Sequence, residues 1–482
     1  MVSSSHRADL VVVANRLPVD RVVHDDGTQE WRTSPGGLVT AMEPVMRARR
    51  GAWVGWTGET GIRVVPFTTE SGLRLVPVAV DTADIRDYYE GFSNATLWPI
   101  YHDVISDPAF HRSWWAAYRT VNERFALAVA DVAAEGATIW VQDYQLQLVP
   151  ALLRELRPDL RIGWFNHIPF PPVELFAQLP WRAALLRGLL GADFVGFQRS
   201  ADAHNFTRAC RQLLGATSRG SVITWQGSND GVLGGAARTV RAAHIPISID
   251  FAALESLAMS HEVSQRAKDI RASLGNPRLM LLGVDRLDYT KGIRHRLRAL
   301  AELLADGSID PHDVAIVQVA SPSRERVEAY RRLRLQVEAM VGRINGEYAD
   351  IGQTPVHYLH QSYPREEMAA IYQAADVMLV TPLRDGMNLV CKEYVTCRHD
   401  LGGALVLSEF AGASQELSTA YQCNPHDIVG LKRSILTALH DDPGTRRRRM
   451  RAMRRRVRAH DVYAWADGYL QALATAPEQP EP

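Results

Sequence analysis

Short aliphatic and β-branched runs recur along the chain, separated by segments long enough for a helix. Leu10–Ala14, Thr138–Val141, Arg161–Phe165, Phe194–Phe197, Leu279–Val284, Val314–Val319, Val377–Val380 and Ala404–Leu407 are apolar with little polar alternation. That is the pattern of parallel strands covered by helices on both faces. Val149–Leu156 and Leu297–Leu304 carry apolar residues at helical spacing, so the chain is expected to be α/β and doubly wound. Ligands are then expected beyond the carboxyl ends of the strands. Thr217–Ala237 is rich in Gly, Ser and Asn, Pro246 and Pro277 bracket a charged helical segment, Glu255–Leu274, and the strand pattern restarts at Leu279. A boundary is expected between 240 and 250, giving domains 1–245 and 246–455, a C-terminal segment 456–482, and a cleft between the two halves.

Composition narrows the class. Hydrophobic residues make up 46% and charged residues 22%, which excludes a disordered or fibrous chain. Lys plus Arg and Asp plus Glu are 54 each, so no whole-molecule field attracts nucleic acid or an acidic membrane, and any anion needs a local site. The run Arg446–Arg458 holds nine arginines around Met450, Met453 and Val457. Overall neutrality favours an amphipathic helix with a solvated basic face over a nucleic-acid patch. Cys210, Cys391, Cys397 and Cys423 form no C-x-x-C pair and no zinc spacing, so reduced thiols and a cytoplasmic location are expected. The polar start to Leu10 is followed by too short an apolar run for a secretory or membrane segment.

Polar and charged residues cluster where strands end. Asn15-Arg16 follows the first strand, and Ser34-Pro35-Gly36-Gly37-Leu38 follows a polar loop. Paired glycines let backbone amides approach a phosphate, although a plain turn uses them equally well. Arg16, just past a buried strand, needs an anion or solvent. Asp143 and His167 also sit beyond strands, while Tyr89 and Trp98 either stack on a sugar or pack. In the second half, Arg286 and Lys291 share a loop entering a helix, placing a guanidinium fork and an ammonium within reach of one diphosphate. Arg384-Asp385-Gly386-Met387-Asn388-Leu389 follows another strand, with Glu393 one turn further on. Backbone amides there suit an anion or hydroxyls, and Asp385 is either a polyol acceptor or a helix cap.

Asn15-Arg16-Leu17, Gly36-Gly37-Leu38, Trp53-Val54-Gly55-Trp56, Tyr88-Tyr89 to Trp98-Pro99, Asp143-Tyr144, His167-Ile168-Pro169-Phe170-Pro171, Arg286 to Gly292, Arg343-Ile344-Asn345-Gly346 and Arg384 to Leu389 together resemble the motif series of trehalose-6-phosphate synthases, in order over nearly the whole chain. The resemblance implies two Rossmann-like doubly wound parallel-sheet domains facing a cleft (GT-B). It also implies retaining transfer of glucose from a nucleoside diphosphate, UDP expected, to glucose 6-phosphate. Carried over by position, Arg286 and Lys291 meet the donor diphosphate. Gly37, Gly386 and the amides of Met387, Asn388 and Leu389 lie near the donor, Asp385 on its glucose and Glu393 on its ribose. Arg16, Tyr89, Trp98 and Arg324 grip the acceptor, with both arginines on its phosphate; Asp143 orients the acceptor and His167 lies against the transferred glucose. Gln142 and Gln145 depart from the family's usual histidines, and Asn166 from a usual leucine. The C-terminal helix is implied to cross back onto the first domain, with Tyr463, Trp465 and Tyr469 packing.

Absence of any D-x-D triplet and the paired cations predict catalysis with no metal and no cofactor. Small-molecule substrates are the expected partners, with no nucleic acid and no membrane; the family is often homo-oligomeric. Too few residues follow Asp427 for a fused phosphatase, so the product would pass to a separate one. Two other readings share the resemblance, a catalytically silent sugar-phosphate-binding regulator and a pseudoglycosyltransferase joining cyclitols. The intact Arg286, Lys291, Asp385 and acceptor residues speak against both.

Overall fold

The apolar run Leu10–Ala14 forms the buried middle of a strand, Ala8–Arg16, which emerges at its carboxyl end through half-buried Asn15 and exposed Arg16. This computed structural model describes residues 7–477 apart from 25, 27, 35–38, 40–41, 43–45, 47–50, 63, 71 and 228–236. The chain divides into two compact units, Met1–Pro246 with Tyr463–Pro482, and Ile247–Val462.

In the first unit, a sheet has the order Thr217–Arg219, Val222–Trp225, Arg238–His244, Phe194–Phe197, Arg161–Asn166, Ala133–Gln142, Ala8–Arg16, Ala52–Trp56, Arg74–Pro77, Phe67–Thr68. The strands from Arg238–His244 to Arg74–Pro77 are parallel, and the antiparallel pairings lie at the two edges. From Ala8–Arg16 the chain builds outward to Ala52–Trp56 and Arg74–Pro77, then returns to the other flank with Ala133–Gln142. The order reverses there, and a crevice opens beyond the carboxyl ends of the two strands because their crossovers leave on opposite sides.

The second unit repeats the plan with six strands: Val356–Leu359, Val314–Ser321, Leu279–Arg286, Val377–Val380, Ala404–Ser408 and Tyr421–Cys423. All pairings are parallel. The reversal falls between Leu279–Arg286 and Val377–Val380. Leu281, Leu300, Val337, Val377 and Val406 lie in one buried cluster between this sheet and its helices.

Each strand expected from an apolar run is present. Several others were not legible. The polar stretch before Ser34 is a hairpin, Val19–Val23 with Gln29–Thr33, and part of the Gly-, Ser- and Asn-rich stretch is the edge pair Thr217–Arg219 and Val222–Trp225. Edge strands solvate one face and lose the continuous apolar signature. The expected helix Glu255–Leu274 is two, Phe251–Ala258 and His261–Ser273; Ser260 caps the second, its Oγ accepting from the Val263 amide at 3.2 Å.

The last helix, Val462–Ala474, packs on the first sheet. Tyr469 stacks on Trp140 at 4.2 Å and Trp465 lies 5.0 Å from the same ring. Gly163 and Gly196 make room: a Cβ on either would meet the Tyr469 ring or hydroxyl at 2.4 to 2.8 Å. Tyr463, expected to pack, is 41% exposed instead. The arginine run lies on the helix Pro443–Ala459, whose Met450, Met453 and Val457 are buried. Arg454 is buried too, donating to the Val395 carbonyl at 3.0 Å, while Arg458 pairs with Glu255 at 2.7 Å. Part of the basic run is therefore structural. Among the described residues no helix is long and apolar enough to cross a membrane.

Candidate active site

At the switch point of the first unit lies a cavity of about 390 Å³, lined among others by Asn15, Arg16, Asp20, Trp53, Tyr89, Gln142, Asp143 and Gln145. Arg16 donates to Asp20 Oδ1 at 2.7 Å, and its guanidinium lies 5.3 Å from the Trp56 ring centre. Gly58, at φ +91°, makes this possible, since a Cβ there would sit 2.2 Å from the guanidinium. Tyr89 reaches the cavity from Ile85–Leu97, a helix wound with i to i+5 hydrogen bonds, a winding often found at functional sites. Trp98 follows it but is 3% exposed, stacks on His102 at 4.1 Å, and is not among the cavity's lining residues.

Asp143 turns the chain at φ +70°, a strained value for a residue other than glycine. The turn brings its Oδ1 to the His167 amide, which donates at 3.1 Å. The His167 ring meets Gln142 Oε1 at 2.8 Å through Nε2. Burial pulls the His167 pKa down to about 3, so the ring is neutral near pH 7 and its Nε2–H donates to Gln142. Behind it, Phe165 lies 4.7 Å from the His167 ring and 5.2 Å from Trp465, so the C-terminal helix backs the histidine. Gly37 lies outside the described residues.

The second unit's switch point is held by charge. Lys291 Nζ donates to Asp385 Oδ2 at 2.6 Å, with both side chains largely buried. Asn388 Nδ2 donates to the same oxygen at 3.2 Å. Asn388, not Asp385, is the cap of helix Leu389–Cys397: it adopts φ +88° and accepts from the Cys391 amide at 3.0 Å. The Leu383 amide donates to the Thr290 carbonyl at 2.7 Å, binding the two loops together. Gly292, at φ +64°, permits this approach, because a Cβ would lie 2.1 Å from the Thr381 carbonyl. Gly412 similarly admits the Gly386 carbonyl, and the Ala413 amide donates to Met387 at 2.9 Å.

Arg286 is exposed at its strand's end. Arg324, at φ +49° and with a 5% exposed side chain, lies 3.4 Å from Asp288 Oδ2 and bonds the Tyr330 hydroxyl. Burial pushes the Asp288 carboxyl up, but the charges of Arg324, Arg286 and Lys291 outweigh it and hold the group below the usual carboxylate range. Glu393 accepts from the Tyr372 hydroxyl at 2.8 Å, and burial raises its pKa. Asn345, part of a sequence motif, bonds both backbone groups of Val356 and is structural. Gly58, Gly412, Tyr330 and Tyr372 carried no signal of their own, because their roles depend on contacts distant in sequence.

Two Rossmann-like units, each with polar chemistry at the reversal of a parallel sheet, define the class of GT-B transferases. The profile of glycosyltransferase family 20 matches residues 8–475, and the chain belongs to that family. It is similar to the trehalose-6-phosphate synthase of Mycolicibacterium vanbaalenii, with 59% identity over 97% of this chain and 96% of the relative. Among solved structures, it is similar to an α,α-trehalose-phosphate synthase (UDP-forming) from Burkholderia xenovorans in complex with glucose 6-phosphate, with 34% identity, TM-score 0.86, and coverage of 96% and 99%. The E. coli structure bound with UDP-2-fluoro glucose gives 32% identity, TM-score 0.87, and coverage of 98% and 99%. The chain is thus an enzyme, a glycosyltransferase.

Proposed function

We propose that the chain makes α,α-trehalose 6-phosphate, moving glucose from UDP-glucose to glucose 6-phosphate with retention of configuration. The observation that carries this reading is the near-full-length similarity to synthases, with the charged motif residues of both halves in place. The cavity beside Asp143 takes the acceptor sugar, with Arg16 for its phosphate. The loops of Lys291 and Asp385 take the donor: Arg286 and Lys291 on the diphosphate, Asp385 on glucose hydroxyls, the Met387 to Leu389 amides nearby and Glu393 on the ribose.

Chemistry follows from where charge develops. Breaking the bond from the anomeric carbon to the phosphate oxygen leaves an oxocarbenium-like sugar and adds negative charge to the diphosphate. Cations fixed before the reaction stabilise that charge more in the transition state than in the ground state. Lys291 is fixed in this way by Asp385. The acceptor hydroxyl attacks from the departing face, and its proton passes to the leaving phosphate oxygen. A neutral His167, its Nε2–H engaged by Gln142, can accept a hydrogen bond from the transferred glucose at Nδ1 without adding charge.

Release of nucleoside diphosphate from UDP-, GDP- and ADP-glucose, with and without glucose 6-phosphate, tests the reading. Acceptor-dependent release, fastest from UDP-glucose, with trehalose 6-phosphate as product, is expected; release indifferent to the acceptor overturns it. Turnover should stay within a few-fold after exhaustive chelation, and a loss restored by magnesium or manganese rejects catalysis by protein cations alone.

A further inference from the structure

We propose that Gln142 and Gln145 are specificity-determining residues for the acceptor: the Gln142 amide bridges His167 and one acceptor hydroxyl, and the Gln145 carbonyl accepts from a second. This rests on the reading of the Asp143 cavity as the acceptor site. Gln142 ends its strand at 1% exposure and lines the cavity. Its Oε1 is taken by His167 at 2.8 Å, and its Nε2 has no hydrogen-bond partner. Gln145, 9% exposed, lines the same cavity with an unpartnered Oε1. Its backbone is pinned, since its carbonyl accepts from Asn122 Nδ2 at 3.0 Å.

Buried amide groups are almost always paired, because an unmade hydrogen bond there is not recovered from water. Two such groups on residues that line one cavity are the polar atoms a ligand there would satisfy. One is a donor and the other an acceptor, and neither is charged. Neighbouring hydroxyls of a sugar ring satisfy both, one through its oxygen and one through its hydrogen; a phosphate or carboxylate oxygen would meet the Gln145 carbonyl with repulsion. Because Gln142 is also bonded to His167, occupancy of the acceptor hydroxyl and the setting of the imidazole are coupled through a single carboxamide. The amide cannot turn over to suit another ligand without breaking the histidine contact.

The test compares kcat/KM for glucose 6-phosphate and its 2-, 3- and 4-deoxy analogues in the wild type, Gln142→Met and Gln145→Met. Methionine keeps the length and removes the hydrogen bond. Each variant should lose about tenfold with glucose 6-phosphate, the size of one hydrogen bond. Each should also lose its discrimination against one deoxy analogue, a different one for each variant. UDP affinity, measured by calorimetry, should stay within twofold. Discrimination ratios unchanged from wild type in both variants overturn the proposal and leave the amides structural. If Gln142→Met does not fold, Gln145→Met decides alone. A wild type that fails to use glucose 6-phosphate at all refutes the acceptor reading itself, which separates the two failures.

Discussion

The two halves of this protein share a strand order and place their chemistry at the same reversal of the sheet, yet they solve the electrostatics differently. In Ile247–Val462 the loops are tied by ion pairs, Lys291 to Asp385 at 2.6 Å and Arg324 to Asp288 at 3.4 Å. In the first unit the cavity is lined by the amides of Asn15, Gln142 and Gln145, the rings of Trp53 and Tyr89, and Asp143, and the ion pair there, Arg16 to Asp20, is left about half exposed. Fixed charge suits a diphosphate whose charge grows during the reaction. Neutral donors and acceptors suit hydroxyls that must be told apart, because a hydrogen-bonding site rejects an analogue lacking the group more strongly than an apolar pocket does. One topology thus serves two recognition problems through the residues at its strand ends.

The comparison breaks most visibly at Lys291. Lys291→Ala should lower kcat by about 10²- to 10³-fold, the usual cost of removing one preorganised charge. Unchanged kcat with only a raised KM for UDP-glucose would mean that the lysine binds ground state and transition state alike, and the charged site would be no more than a holder.

Two glycines sharpen it next. Gly292→Ala drives a Cβ into a backbone carbonyl at positive φ, so it should cost about 3 kcal/mol or more in urea unfolding. Gly58→Ala meets only the mobile end of Arg16 and should cost about half as much. It should show itself instead as a raised KM for glucose 6-phosphate. Equal losses of stability would place the two loops on the same footing.

The last test concerns pH. His167 titrates near pH 3 in the folded chain and near 6.5 when unfolded, so the unfolded chain binds the extra proton between those values. Stability present above pH 6.5 is therefore lost as pH falls toward 3, by at most about 1.4 kcal/mol per pH unit. His167→Gln should flatten that part of the stability profile without changing it above pH 7. An identical slope in the variant would show that the ring is solvated and titrates normally.

The sequence by itself determined the class of fold and most of the cations. Strands buried on both faces must be apolar throughout, and a residue such as Arg16 or Arg286 immediately after one stands out against them. It also marked Gln142 and Gln145 as departures, without saying what they do. Only the tertiary structure decided which side chains pair. Asp385 was open between cap and polyol acceptor until Asn388 took the cap and Lys291 came across from another loop, 94 positions away in the chain. Trp98 and Arg324, expected on the acceptor, also turned out to have protein neighbours, His102 and Asp288. Gly58 and Gly412, which admit a guanidinium and a carbonyl, are silent in sequence, since what a missing Cβ leaves room for depends on atoms delivered by distant segments. Pairing and close approach are properties of the folded chain, whereas burial on two faces is written locally into each strand.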